Sequence, residues 1–165
     1  MADGRFEALV DEYGRLVLNV ALRILGDADA ACDVHQEVFL AIWRRWESYD
    51  GRTNWRPYLY RTAVRKAIEH AKRLKRAPHT LENQDIPGEE EVPGSRMRAA
   101  ELREKLLACL AQMPQRQADV FVLSRLEGLS HEEIAEALGC SNATVRVHLH
   151  RAMRRLSREL SDYLT

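Results

Sequence analysis

The sequence predicts an all-α protein: two small helical domains joined by a flexible linker, the second carrying a C-terminal helix-turn-helix. Three observations predict it. Apolar residues recur at helical spacing through most of the chain. A stretch with Pro78, Pro87, Gly88, Pro93 and Gly94 interrupts that pattern near the middle. A capped short helix, a glycine and a second capped helix follow one another near the C-terminus. The expected division is residues 1–76, a linker at 77–97, and residues 98–165.

The first helix is expected over residues 5–25, where the spacing of Phe6, Leu9, Val10, Tyr13, Leu16, Val17, Val20, Leu22 and Ile24 fits an amphipathic helix. Gly26 and Asp27 stop it. A second helix runs from about Asp29 to Glu47, with Val34, Val38, Ile42 and Trp46 inside and Phe39 and Trp43 alongside. Ser48–Asn54 is a polar turn. The third helix starts at Trp55, where Pro57 falls in the first turn and its missing N–H is not needed. Its expected inner face holds Trp55, Tyr58, Leu59, Thr62, Ala63, Ala67 and Leu74.

After the linker, one helix covers Arg98 to Gln112. Pro114 opens the next, which carries Ala118, Val120, Phe121, Val122, Leu123 and Leu126 and closes at Gly128. Ser130 with Glu133 three residues on forms a capping box. Ile134, Ala135 and Leu138 face inward, and Gly139 reverses the chain. Ser141 or Asn142 caps a last helix reaching about Leu160.

Bulk composition bounds the class. The chain has 165 residues, 45% hydrophobic and 30% charged, which suits a folded, soluble protein. No apolar run is long enough to cross a bilayer, and the N-terminus lacks a signal pattern, so a cytoplasmic location and no membrane insertion are expected. Cys32, Cys109 and Cys140 are widely spaced and make no disulfide framework. Net charge is zero, but its distribution is uneven. Residues 1–43 hold 8 acidic and 3 basic side chains, residues 52–76 hold 1 and 9, and residues 142–158 hold five Arg and no acid. Residues 82–91 hold five acids and no base. Two basic stretches are thus each placed to meet phosphate, and the acidic linker would repel nucleic acid.

The helix-turn-helix at 129–150 is the sharpest local signal. On its second helix Val145, Leu149, Ala152 and Leu156 share one face, which belongs to the core. The opposite face presents Asn142, Ala143, Arg146, Val147, His150, Arg151 and Arg154. A recognition helix leads with its N-terminal part, so Asn142, Ala143, Arg146 and Val147 are the base-reading candidates. Arg151, Arg154 and Arg155 suit phosphate.

In the first domain, Tyr49, Trp55, Tyr58 and Tyr60 lie among Arg52, Arg56, Arg61 and Arg65. Aromatics interleaved with arginines suit unpaired bases and their backbone. Trp55 and Tyr58 fit better as core anchors, which leaves stacking to the loop and the outward side chains. Tyr49, Arg52, Asn54, Arg56, Arg61 and Arg65 are the candidate contacts. Lys72, Arg73, Lys75 and Arg76 add positive charge at the helix end. On the second helix, Asp33, Gln36, Glu37, Leu40 and Arg44 form a polar face with one apolar member, fitting equally a protein partner or plain solvent. No Gly-rich phosphate loop and no His-Glu-x-x-His motif occurs, and the histidines are not paired at ligating spacing, so no enzyme, cofactor or metal is expected.

Three segments carry a resemblance to a family. Ala31-Cys-Asp-Val-His-Gln-Glu-Val-Phe39 with Trp43, then Trp55-Arg-Pro-Tyr-Leu-Tyr-Arg61, then Glu127–Gly139 with Thr144-Val145 and Leu149-His-Arg-Ala152 occur in this order. They resemble the motifs of the extracytoplasmic-function (ECF) sigma factors over nearly the whole chain except the linker. The resemblance implies a factor that binds core RNA polymerase and directs promoter-specific initiation. It implies that Asp33, Gln36, Glu37, Phe39 and Leu40 meet the beta-prime clamp helices. Tyr49, Arg52, Asn54, Arg56, Arg61 and Arg65 would then recognise and melt the minus-ten element. The helix-turn-helix would read the minus-thirty-five element beside the beta flap. An anti-sigma protein is the implied further partner. The chain departs from the pattern at Cys32, His35, Arg65, Glu69, Ala143 and Arg146-Val147-His148, several of them on contact faces. A polymerase-independent helix-turn-helix regulator and a helical adaptor without DNA recognition are the other readings the residues allow.

Overall fold

The computed structural model describes the backbone of residues 2–76 and 94–164. Every regular element among these residues is helical. The expected flexible linker and its acidic cluster fall mostly on residues 77–93, outside the described residues.

Helix α1 spans Ala2–Leu25, and Gly26 ends it at φ 66°, with its N–H on the Leu22 carbonyl at 2.8 Å. Only glycine holds that left-handed turn without strain. A side chain there would also run into the Arg103 guanidinium, which lies across it. Asp27 then caps α2, Ala28–Arg44, its carboxylate accepting from the Ala30 N–H at 2.8 Å. A 3₁₀ turn, Trp46–Ser48, leads into the loop, and α3 covers Trp55–Arg76. These three helices close on Val17, Val20, Ile24, Val34, Val38, Ile42, Leu59 and Val64, all buried. Burying each such side chain is worth roughly 1.5–3 kcal/mol.

The second lobe starts earlier than expected: α4 covers Ser95–Gln112, beginning at Ser95 rather than Arg98. Helix α5, Gln115–Phe121, widens into a π-turn at Val122–Leu126, where the Glu127 N–H reaches the Val122 carbonyl five residues back at 3.0 Å. A single wide turn re-phases a helix, and this one sits just before the motif. Helix α6, His131–Leu138, opens with the capping box: Glu133 N–H donates to Ser130 Oγ at 3.2 Å and Ser130 N–H to the Glu133 carboxylate at 2.8 Å. Gly139 ends it at φ 64°. Ser141 caps α7, Asn142–Glu159, and a short turn of helix, α8, follows at Ser161–Leu164.

Leu74 does not join the α3 core as expected: it is exposed, because the buried stripe of α3 ends at Ile68 among the described residues. Helix α3 instead packs on both sides. It touches α1 and α2 in its own lobe and α4, α5 and α6 in the other, so buried residues of the two lobes form one continuous cluster.

Two histidines are held neutral by this packing. Burial lowers the pKa of His35, which lies against the Phe39 ring at 4.9 Å. Burial lowers that of His148 too, helped by Arg151 and Arg116. Both begin from an ordinary value of 6.5. The unfolded chain therefore takes up protons near that pH that the folded chain refuses. The stability conferred by keeping them neutral is complete above 6.5 and is lost as pH falls below it. The expected result is a melting temperature that drops between about pH 7.5 and about pH 5.5. His35→Gln with His148→Gln should flatten that dependence; an unchanged slope in thermal melts would rule the two groups out.

Candidate nucleic-acid interface

The α7 helix is built to show one face. Val145, Leu149, Ala152 and Leu156 are buried, and Ala143, Arg146, Val147, His150, Arg151 and Arg154 are exposed. Asn142 is half-buried, its amide donating to the Glu132 carboxylate of α6 at 3.2 Å. That bond ties the start of α7 to α6. Arg155, expected to suit phosphate, is occupied inside the lobe: Nε donates to Glu159 at 3.0 Å and Nη1 to the Gln112 carbonyl at 3.3 Å. It braces α7 on α4. The spacing of α7 did not reveal this, because the accepting carbonyl lies 43 residues away.

The loop and the start of α3 form a second surface. Its floor is a chain of ring contacts. Trp46 stacks on Trp55 with centroids 5.8 Å apart, and Tyr49 meets Trp55 at 5.0 Å. The Tyr49 and Tyr58 hydroxyls share a hydrogen bond at 2.6 Å. Burial, with that bond, pushes the Tyr49 pKa up to about 12, so the phenol stays protonated and able to donate. Arg5, Leu9, Glu12, Trp46, Tyr49 and Trp55 line a cleft of about 330 Å³ beside the loop. Arg52 and Arg56 are exposed at its approach, Arg56 over the Tyr60 ring at 5.7 Å. Arg61 lies over the Tyr58 ring at 5.6 Å. Arg5 and Glu12 reach this cleft from α1, which meets the loop only in three dimensions, and Trp46 reaches it from the 3₁₀ turn, so local spacing marks none of them for it.

Two residues of this set turn toward the other lobe. The Asn54 amide donates to the Glu136 carboxylate at 2.7 Å, and Arg65 Nε donates to Asp119 at 3.2 Å. The Asp119 side chain is fully buried, and burial raises its pKa against the pull of Arg65, Arg116 and Arg61.

The third surface is the outer side of α2. Asp33, Gln36 and Leu40 are exposed, and Trp43 stands beside Leu40, 42% and 46% exposed respectively. Glu37 is half-buried and takes both bonds from the Arg73 guanidinium, at 2.9 and 3.0 Å. Phe39, expected at the same face, is 5% exposed and packs edge-on against Phe6. It is a core residue and supports the face only from beneath. One residue along a helix is a rotation of about 100°, which is enough to carry Phe39 inside and Leu40 outside.

Two helical lobes thus expose three surfaces, one of them on the second helix of a helix-turn-helix. Residues 9–77 match the family model of sigma-70 region 2, and residues 103–156 that of sigma-70 region 4. The chain is 28% identical to the RNA polymerase sigma-H factor of Pseudomonas aeruginosa, over 96% of this chain and 88% of that one. It is 29% identical to the ECF RNA polymerase sigma-E factor of Haemophilus influenzae, over 96% and 89%. Its fold is like that of CnrH solved with the cytosolic domain of CnrY, with a TM-score of 0.57 at 24% identity, covering 95% of this chain and 88% of that one. It is also like that of RpoE solved with the anti-sigma factor NepR from Bartonella quintana, with a TM-score of 0.52 at 16% identity, covering 95% and 97%. The protein is thus of the sigma-70 class.

Within that class, the chain belongs to the ECF RNA polymerase sigma factors. The family's general function, engagement of core RNA polymerase and recognition of promoters, follows with membership; a sigma factor is not an enzyme. Among the described residues no helix is long and apolar enough to cross a membrane.

Proposed function

We propose that residues 1–76 bind core polymerase and recognise and melt the minus-ten element, while residues 98–165 read the minus-thirty-five element. The observation that carries this is the exposed face of α7, where Ala143, Arg146 and Val147 lead and His150, Arg151 and Arg154 follow. Arginine pairs with guanine edges in the major groove, and Ala and Val pack on thymine methyls. The arginines further along hold phosphate and fix the register.

Strand separation needs no covalent chemistry. Unstacking costs a few kcal/mol per step, and a base leaving the stack needs a surface that repays it. The cleft beside Trp46, Tyr49 and Trp55 supplies ring faces, and Glu12 and Glu47 supply acceptors for an exocyclic amino group. Arg52, Arg56 and Arg61 hold the strand's phosphates.

The α2 face, with Asp33, Gln36 and Leu40 exposed around Trp43, takes the beta-prime clamp helices. The second lobe lies against the beta flap, and an anti-sigma protein covers these surfaces when the factor is held inactive. The protein works in the cytoplasm, where polymerase is.

Reconstitution with core polymerase and run-off transcription on a genomic library tests the reading; failure to join core enzyme or to direct start sites would refute it. Gln36→Ala or Asp33→Ala is expected to weaken association with core polymerase while leaving the melting temperature within a degree or two, as exposed substitutions do, with effects of about 0.5 kcal/mol or less. Unchanged affinity in a titration with core enzyme removes that residue from the interface.

A further inference from the structure

Asn142, the first residue of α7, is held from behind by α6: its Nδ2 donates to Glu132 Oε1 at 3.2 Å. Both frames that bring the pair together are fixed. Glu132 lies in the first turn of α6, where the Ser130–Glu133 box caps the helix and Ile134, Ala135, Ala137 and Leu138 are buried. Ser141 fixes the start of α7: its Oγ accepts from the Thr144 N–H at 3.1 Å and shares a bond with the Thr144 hydroxyl at 2.9 Å. The other two glutamates of α6 are engaged elsewhere, Glu133 in the box and Glu136 with Asn54.

The chemistry of that bond decides which way the amide faces. A carboxylate only accepts, so it takes the NH2 end of an asparagine and not the carbonyl. Oδ1 is left with no donor among the described residues. An amide that nothing holds can offer either end to a base. In the major groove adenine and cytosine present an exocyclic amino group, which needs an acceptor; guanine and thymine present O6 and O4, which need a donor.

We propose that Glu132 is a positioning residue for sequence recognition: by holding the Asn142 amide it commits Oδ1 to the groove, and so selects an amino base, adenine or cytosine, on the facing strand at one minus-thirty-five position. This rests on the placing of the start of α7 in the minus-thirty-five major groove. Adenine and cytosine separate on the second amide hydrogen, which adenine N7 accepts and which finds no acceptor beside the cytosine amino group. A carboxylate in the first turn of a helix also favours that helix through its dipole. That role needs no Asn142 and would not sort bases, so the two roles give different results.

The test uses holoenzyme reconstituted with the full chain and run-off transcription from promoters carrying each of the four bases at every minus-thirty-five position. Asn142→Ala marks the position, as the one where preference collapses. There the unmodified chain is expected to favour amino over keto bases on the order of fivefold, the worth of about one hydrogen bond. A lead by adenine alone assigns both amide contacts, and a lead shared with cytosine assigns Oδ1 only; either supports the proposal. Glu132 is exposed, so its substitution leaves the core intact. Glu132→Ala frees the amide and is expected to bring the four bases within about twofold at that position and nowhere else. Glu132→Lys puts a donor where the acceptor was, turns the amide round, and is expected to favour guanine and thymine. Glu132→Ala on the Asn142→Ala background is expected to change nothing further. A change equal at all promoters overturns the proposal, because loss of a dipole partner or of repulsion from phosphate gives that result. A keto preference in the unmodified chain overturns it, and so does a further loss in the double variant, which would make Glu132 a base contact in its own right. If Arg146→Ala blunts preference and Asn142→Ala blunts it nowhere, this proposal falls and the minus-thirty-five reading stands; indifference to both variants brings down that reading as well.

Discussion

Phe39→Ala is expected to destabilise the chain by about 3–5 kcal/mol, the usual cost of emptying a buried aromatic site. That is a large share of a total of roughly 5–15 kcal/mol. Phe39 packs against Phe6 and His35, so its loss removes contacts of α1 and α2 together. Urea unfolding should show a lower midpoint with an unchanged slope. Leu40→Ala, one position on, is expected to leave the midpoint nearly untouched and to weaken the grip on core polymerase. The pair separates support from contact. If Phe39→Ala kept its stability and lost only polymerase affinity, Phe39 would have to swing outward in the complex, and its place in the core would be wrong for the working state.

The second large effect belongs to Arg146→Ala. A well-made bidentate contact to a base edge is worth about 1–3 kcal/mol of discrimination, or about five- to 150-fold. Transcription by reconstituted holoenzyme from promoters carrying single substitutions should lose its preference at one or two adjacent minus-thirty-five positions. The fold should not change, because Arg146 is exposed and makes no packing contribution on the buried side of α7. A loss spread equally over every promoter would make Arg146 a phosphate contact instead. Base reading would then rest on Ala143, Val147 and Asn142.

Local chemistry was legible in the residues. The Ser130–Glu133 box, the turn at Gly139 and the buried stripe of α7 all depend on neighbours within a few positions, and all appear as expected. The two-lobe, all-helical class follows from the same periodicity. What periodicity cannot resolve is the edge of a stripe. Phe39 and Leu40 are both apolar and adjacent, and only the position of α1 decides which is covered. Leu74 looks inward by spacing but is exposed, since spacing alone does not say how far along a helix its neighbours reach. Contacts between lobes were invisible for a different reason. Arg65 and Asp119 are 54 positions apart, and an aspartate ordinarily faces water, so nothing local marks Asp119 as buried. Arg155 and Asn54 likewise read as surface polar residues until their distant partners are known.

All three tryptophans, Trp43, Trp46 and Trp55, sit in the first lobe, and none occurs after residue 76. Two of them are stacked within one aromatic cluster. Intrinsic emission excited at the indole band therefore watches only half of the molecule, and it is sensitive to the loop whose rings it comes from. Far-ultraviolet ellipticity samples the helices of both halves. The two signals, recorded on one unlabelled sample, thus tell apart a chain that melts as a unit from one whose halves let go in turn.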